Sequence, residues 1–105
     1  MAETDTLLAA MRARAASLRT LGYRVRLDMP DTGDSIFLDA TGGGCELRLA
    51  AGEEEADTVL SLSSADLEKL VAGRLSPMLA FATGKLRVEG SRGVALKLAS
   101  LLDED

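Results

Sequence analysis

The chain has no histidine, tryptophan, asparagine or glutamine, and only one cysteine and two prolines in 105 residues. Without histidine it cannot build a His-centred triad or a Cys-His pair from its own side chains, and one cysteine cannot close a structural zinc site. A lone Cys45 also excludes an intrachain disulfide, so a reduced cytoplasm is the expected compartment and a small buried apolar side chain its expected role. No apolar run approaches the ~18 residues needed to span a bilayer, so stable membrane insertion is not expected. The amino end carries Glu3 and Asp5 in place of a basic stretch, and no targeting segment is expected there. Only Tyr23, Phe37 and Phe81 are aromatic, against nineteen Leu and sixteen Ala. Any core or pocket in this chain is therefore almost wholly aliphatic.

The formal charge is −5. That balance opposes nucleic-acid binding, which needs clustered Lys and Arg on a basic face. With 47% apolar and 28% charged residues, the composition is that of one ordinary globular domain over residues 1–105. A chain of this size buries about two-thirds of its unfolded surface, enough for a single core.

Apolar spacing at Leu8, Met11, Ala15 and Leu18 predicts an amphipathic helix over residues 5–20, stopped by Gly22. From Tyr23 the period changes to two, with Val25, Leu27 and Met29 alternating with Arg24, Arg26 and Asp28, which predicts a half-buried strand. The turn Pro30 to Asp34 and the loop Thr41 to Gly44 separate two more strands, Ile36 to Ala40 and Cys45 to Ala50. A fourth runs from Asp57 to Leu62. Ser63 with Asp66 resembles a capping box and opens a helix stopped by Gly73; Ser76 before Pro77 opens another, closed by Gly84. Lys85 to Glu89 reads as a fifth strand, and Val94, Leu98, Leu101 and Leu102 mark a final amphipathic helix. The fold class is α+β, with helices covering one face of a five-stranded sheet.

Few residues here suggest chemistry. Glu53, Glu54, Glu55 and Asp57 lack the ordered ligand spacing of a calcium loop, so no metal is expected. The glycines of Thr41 to Cys45 are not followed by a Lys and a helix, which leaves a hairpin loop. Ser61, Ser63, Ser64 and Ser76 have no histidine base, and a Ser-Lys pair is the only activation open to them. Arg24, Arg26, Asp39, Glu46 and Arg48 share the outward parity of the first three strands and are expected to form a cross-strand charge ladder.

The segment Ala56 to Leu101 resembles the sterol carrier protein type 2 family of lipid-binding domains. The likeness is carried by Gly73, Pro77, Ala80, Phe81, Gly84 and Lys85, by the alternation of Leu86 and Val88, by Gly90, and by Ala95, Lys97 and Leu98. Element order extends it to the amino-terminal half, with Asp39 as its anchor. The resemblance implies a mixed sheet in which the fourth strand crosses to the side of the first. The shortest connection would instead form a hairpin between the third and fourth strands.

It also implies a non-enzymatic domain that binds a fatty acyl, acyl-CoA, terpenoid or sterol-like ligand in a hydrophobic tunnel, with no cofactor. Met78, Phe81 and Leu86 would line the tunnel, although a core plug is an equal reading of Phe81 from spacing alone. Val94, Leu98, Leu101 and Leu102 are expected to form the inward stripe of a mobile cover, because the helix ends in Asp103, Glu104 and Asp105 at the negative end of its dipole. At ~25 cal/mol per Å², burying about 300 Å² of alkyl chain contributes roughly 7 kcal/mol before association costs. Few polar groups accompany that wall, so chain length and bulk are expected to outweigh the head group. The alternative is an accessory scaffold that presents a hydrophobic intermediate, such as a quinone precursor, to partner enzymes. The acidic carboxyl end is unlike a peroxisomal address, and nine Arg against three Lys with abundant Ala and Gly suggest a GC-rich bacterial genome. "Sterol" is then a family label. Nothing in the sequence sets an oligomeric state.

Overall fold

The alternation that begins at Tyr23 becomes a strand whose two faces differ in kind. In the computed structural model, which describes residues 4–50 and 55–102, β1 (Arg24–Met29) buries Val25, Leu27 and Met29 and turns Arg24, Arg26 and Asp28 the other way. β2 (Asp34–Asp39) and β3 (Glu46–Leu49) continue as an antiparallel meander, with Leu27 opposite Ile36 and Leu38 opposite Leu47. β4 (Thr58–Ser61) then crosses to the far side of β1 and runs parallel to it, setting Leu60 opposite Leu27. β5 (Arg87–Gly90) pairs antiparallel with β4, and the strand order is β3-β2-β1-β4-β5. This is the crossover, not the hairpin. Residues 51–54, including Glu53 and Glu54, lie outside the described residues.

Helices cover the face formed by Val25, Leu27, Ile36, Leu38, Leu47 and Leu60. α1 (Thr4–Arg12) packs on α3 (Ser64–Val71) and β3, while α2 (Ala15–Leu18) packs on α5 (Arg92–Leu102), which also crosses β4 and β5 and borders α4 (Pro77–Ala82). The single helix expected over residues 5–20 is broken at Ala13 and Arg14, where the Arg14 amide bonds the Met11 carbonyl at 2.9 Å, one residue short of helical spacing. No glycine or proline marks the break. Met11 before the break and Leu18 after it are both fully buried, with α1 packed on α3 and β3 and α2 packed on α5.

The charge ladder is shorter than parity suggests. Arg24 and Asp39, 3.3 Å apart, pair across strands. Arg26 with Asp28 and Arg48 with Glu46, both at 3.0 Å, pair along one strand, because a guanidinium stem reaches its same-face neighbour two residues on. Arg48 also lies 4.8 Å from the centre of the Phe37 ring, which is buried although it stands on the polar face. Such exposed pairs contribute only tenths of a kcal/mol each.

Thr4 and Arg12 of α1 donate to the Asp34 carboxylate and the Leu47 carbonyl of the sheet, at 2.7 and 2.8 Å, and two further polar joints fix α3 and α5. Ser63 caps α3 by accepting from the Asp66 amide at 3.1 Å. Asp31, in the β1–β2 turn, accepts from the Ser64 amide at 3.0 Å and the Ser64 hydroxyl at 2.6 Å, placing a carboxylate at the positive end of α3. At the other joint, Gly90 has φ +88°, and a Cβ there would stand 2.7 Å from the Asp57 carbonyl oxygen. That oxygen accepts from the Ser91 amide at 3.1 Å, so β5 turns into α5 directly against β4.

Gly90→Ala combines backbone strain with a backbone clash and should cost about 2 kcal/mol or more. Gly22→Ala, at φ +77° with nothing within 4 Å of the new carbon, should cost only the strain, about 1 kcal/mol. Urea midpoints falling equally for the two variants would contradict this account. The Ser64 hydroxyl, and with it the Ser64 amide, holds the Asp31 carboxyl below its ordinary 3.8 despite some loss of hydration. A lowered folded value means that the stabilisation is present above the unfolded value and fades as pH falls through the folded one. The stability gap between the wild type and Asp31→Asn should therefore be widest at neutral pH and close below about pH 4; a gap constant down to strong acid would contradict it.

Candidate functional site

A helix as short as α4 can bury little. Ser76 starts it, accepting from the Leu79 amide at 3.4 Å, and Pro77 takes the first helical position. Over six residues, Ala80 is its one buried side chain among those described, whereas Met78, Leu79 and Phe81 are 67%, 58% and 42% exposed. Past its end, the amides of Lys85 and Leu86 both donate to the Ala80 carbonyl, at 2.9 and 3.1 Å. That shared acceptor folds the chain beneath α4 and delivers Leu86 to the interior, and β5 sets Val88 two residues on, on the same face. From the facing side α5 offers Arg92, Ala95 and Leu96, which the i, i+3, i+4 spacing puts on one stripe.

Met78 and Phe81, Leu86 and Val88, and Arg92, Ala95 and Leu96 line a cavity of about 130 Å³ between α4, β5 and α5. Of the residues expected at the tunnel, Met78, Phe81 and Leu86 come together there. Val94 and Leu98 do not: they are buried in the core beneath α5, and Leu101 packs half-buried against the same core. Leu102 ends α5, and its side chain lies outside the described residues, as do Asp103, Glu104 and Asp105. The lining of α5 is thus a stripe displaced from the apolar one. Sequence reasoning missed Val88, Arg92, Ala95 and Leu96 as wall residues. Val88 was findable from its alternation with Leu86, whereas the stripe of Arg92, Ala95 and Leu96 was obscured by its charged first member.

Arg92 is the only ionisable group among the lining residues, and its guanidinium carbon sits 5.7 Å from the centre of the Phe81 ring. A guanidinium neither gives nor takes a proton at neutral pH. The wall can therefore bind apolar matter and attract an anion, but it holds no acid, base or nucleophile. Of the candidate serines, Ser63 and Ser76 act as caps, Ser64 is bonded to Asp31, and Ser61 stands on β4 outside the cavity lining. Groups with shifted proton affinity also lie away from the cavity. Asp39 is lowered chiefly by the hydroxyl and amide of Thr41. Burial, with the Asp39 charge nearby, pushes the Cys45 thiol up, and the half-buried sulfur packs against the core. Among the described residues no group of three His, Cys, Asp or Glu could hold a metal ion, and no helix is long and apolar enough to cross a membrane.

Hydroxysteroid dehydrogenase-like protein 2 of Bos taurus is 34% identical over 82 residues, 78% of this chain and 19% of that protein. The chain thus spans about a fifth of the length of this curated relative. Apo sterol carrier protein 2 of Yarrowia lipolytica superposes with a TM-score of 0.70 at 23% identity, over 93% of this chain and 84% of its own. The ubiquinone synthesis protein UbiJ-SCP2 does so with a TM-score of 0.66 at 22% identity, over 84% of this chain and 75% of its own. These two structures share the fold, including its five-stranded mixed sheet. The profile of the SCP-2 sterol transfer family matches residues 4–103, and with the sheet order and the aliphatic cavity already described, the chain belongs to that family.

Proposed function

We propose that the domain is a non-enzymatic lipid carrier, acting in the cytoplasm, whose ligand places its alkyl portion in the cavity between α4, β5 and α5. The observation that carries this reading is the coincidence of that cavity with exposed apolar side chains: Met78, Phe81 and Leu96, three of the six large hydrophobic residues left substantially exposed among the described residues, are all on its wall. A volume of about 130 Å³ compares with the engineered cavity of about 150 Å³ that takes a benzene. A longer chain needs the wall to move.

The element suited to move is α4 rather than the end of α5. Ala80 is the anchor of α4, its capping bond at Ser76 is long, and its outer residues already face solvent. Leu98, by contrast, is fully buried. Displacing α4 would expose little surface that is now covered, while the bound chain would remove apolar area from water.

A second reading, presentation of a hydrophobic intermediate to partner enzymes, draws on the ubiquinone synthesis protein of like fold and on Leu79, 58% exposed and outside the cavity lining. Leu79→Ser should leave lipid affinity intact under either reading and reduce enzyme association only under the second.

Phe81→Ala tests the carrier reading. A half-exposed ring should cost less than the ~3 kcal/mol of a core phenylalanine, while preference among fatty acids shifts toward bulkier chains. In the same titration, amide exchange at residues 79–83 should slow in the wild type when ligand binds. Unchanged affinity and selectivity in the folded variant would remove Phe81 from the site.

A further inference from the structure

β3 stands at one edge of the sheet, the edge opposite the cavity. The Ala50 amide donates to the Ser35 carbonyl at 2.8 Å, and Arg48 lies opposite Phe37. The alternation of an antiparallel ladder therefore turns the backbone groups of Glu46 and Arg48 toward β2 and those of Leu47 and Leu49 outward, away from the sheet. Both of these outward carbonyls are occupied by guanidinium groups. Arg12 donates to the Leu47 carbonyl at 2.8 Å from 35 residues earlier in the chain, and Arg48 donates to the Leu49 carbonyl at 3.3 Å. Arg12 is the last residue of α1, whose first residue, Thr4, is bonded to Asp34 at 2.7 Å. The helix is thus fastened over the edge by a polar contact at each end.

The edge so covered is self-complementary. When a second copy is set antiparallel against β3 with Leu47 opposite Leu47, Glu46 of each chain meets Arg48 of the other, and Leu49 meets Cys45. Directly opposed residues share a face, so the charged pairs extend the polar face, where Glu46 and Arg48 are now 3.0 Å apart within one strand. Leu49, 47% exposed, is covered on the helix face. An edge strand with matching charges and an exposed leucine is a template for pairing. We propose that Arg12 guards this edge: by holding the Leu47 carbonyl, the acceptor at the centre of the two-fold pairing, it keeps the chain monomeric, and its withdrawal lets β3 pair with β3 of a second copy. A guanidinium bond to that carbonyl is charge-assisted and stronger than the neutral amide bond that would replace it, and pairing must break one in each copy. Arg48 is the weaker guard, because its bond is longer and its side chain serves Glu46 of the second copy once the strands pair. The proposal is independent of what the cavity holds.

The test is sedimentation velocity over a concentration series, with amide exchange followed at Leu47 and Leu49. The wild type should be monomeric and exchange fast at both amides. Arg12→Met and Arg12→Ala, at an exposed helix end, should keep the slow exchange of the central strand β1 that marks a folded chain. Both should dimerise about tenfold or more tightly than the wild type, the scale of a lost charge-assisted hydrogen bond, and slow the Leu47 and Leu49 amides as dimer forms. Arg12→Lys, which keeps a charged donor, should stay nearer the wild type. Adding Glu46→Arg to Arg12→Met sets like charges across the seam and should return the monomer, as should adding Arg48→Glu; a mixture of these two double variants should dimerise, since each then meets its opposite. Arg12→Met and Arg12→Ala sedimenting as the wild type does would overturn the proposal. So would an association that survives Glu46→Arg, a mixture that stays monomeric, or a wild type already dimeric with slow exchange at Leu47.

Discussion

The parallel pairing of β4 with β1 is the constraint on which the rest of this molecule depends. Had β4 closed a hairpin on β3, the chain from Ser63 onward would begin at the opposite edge of the sheet, and α4, β5 and α5 could not meet where they do. Crossing β1 instead buries Leu27 and Leu60 side by side in the centre and makes β5 an edge strand of four residues. Gly90 then permits β5 to turn against Asp57 and launch α5 over the sheet. The cavity forms at that edge, where the helical layer is supplied by a helix of six residues and close packing gives way.

Composition decides what the cavity can recognise. Leu, Val, Ala and Met provide a wall that drives burial without direction, and the one ring on the wall lies 5.7 Å from the Arg92 guanidinium carbon. Family membership and geometry together support the proposed carrier reading, in which this cavity takes the hydrocarbon part of a ligand. The chain matches about a fifth of a longer curated relative, so a domain of this kind occurs within a larger protein.

Much of the fold was legible because its signals are local. Ser63, Ser76 and Pro77 act through groups within three residues, and the alternation from Tyr23 to Met29 reports a sheet with one wet face. The break at Ala13 and Arg14 was not legible, since no glycine or proline marks it and the apolar spacing from Leu8 to Leu18 runs straight through it. The crossover came from the resemblance; loop length permitted it but favoured the hairpin. At the site, Met78, Phe81 and Leu86 were grouped by the resemblance, since spacing alone left Phe81 open between core and pocket, and the stripe of Val94 and Leu98 belongs to the core. An apolar stripe marks what a helix buries, whereas a cavity wall is drawn from the residues beside it, which include Arg92.

The central claim is that the alkyl chain of a ligand occupies the space between α4, β5 and α5. Its most direct test is the set of nuclear Overhauser contacts between a carbon-13-labelled fatty acid and the protein methyl groups in solution. The account predicts contacts from the chain to Met78, Leu86, Val88 and Leu96. Contacts confined to other surfaces, such as Val59 on the opposite face of the sheet, would contradict it.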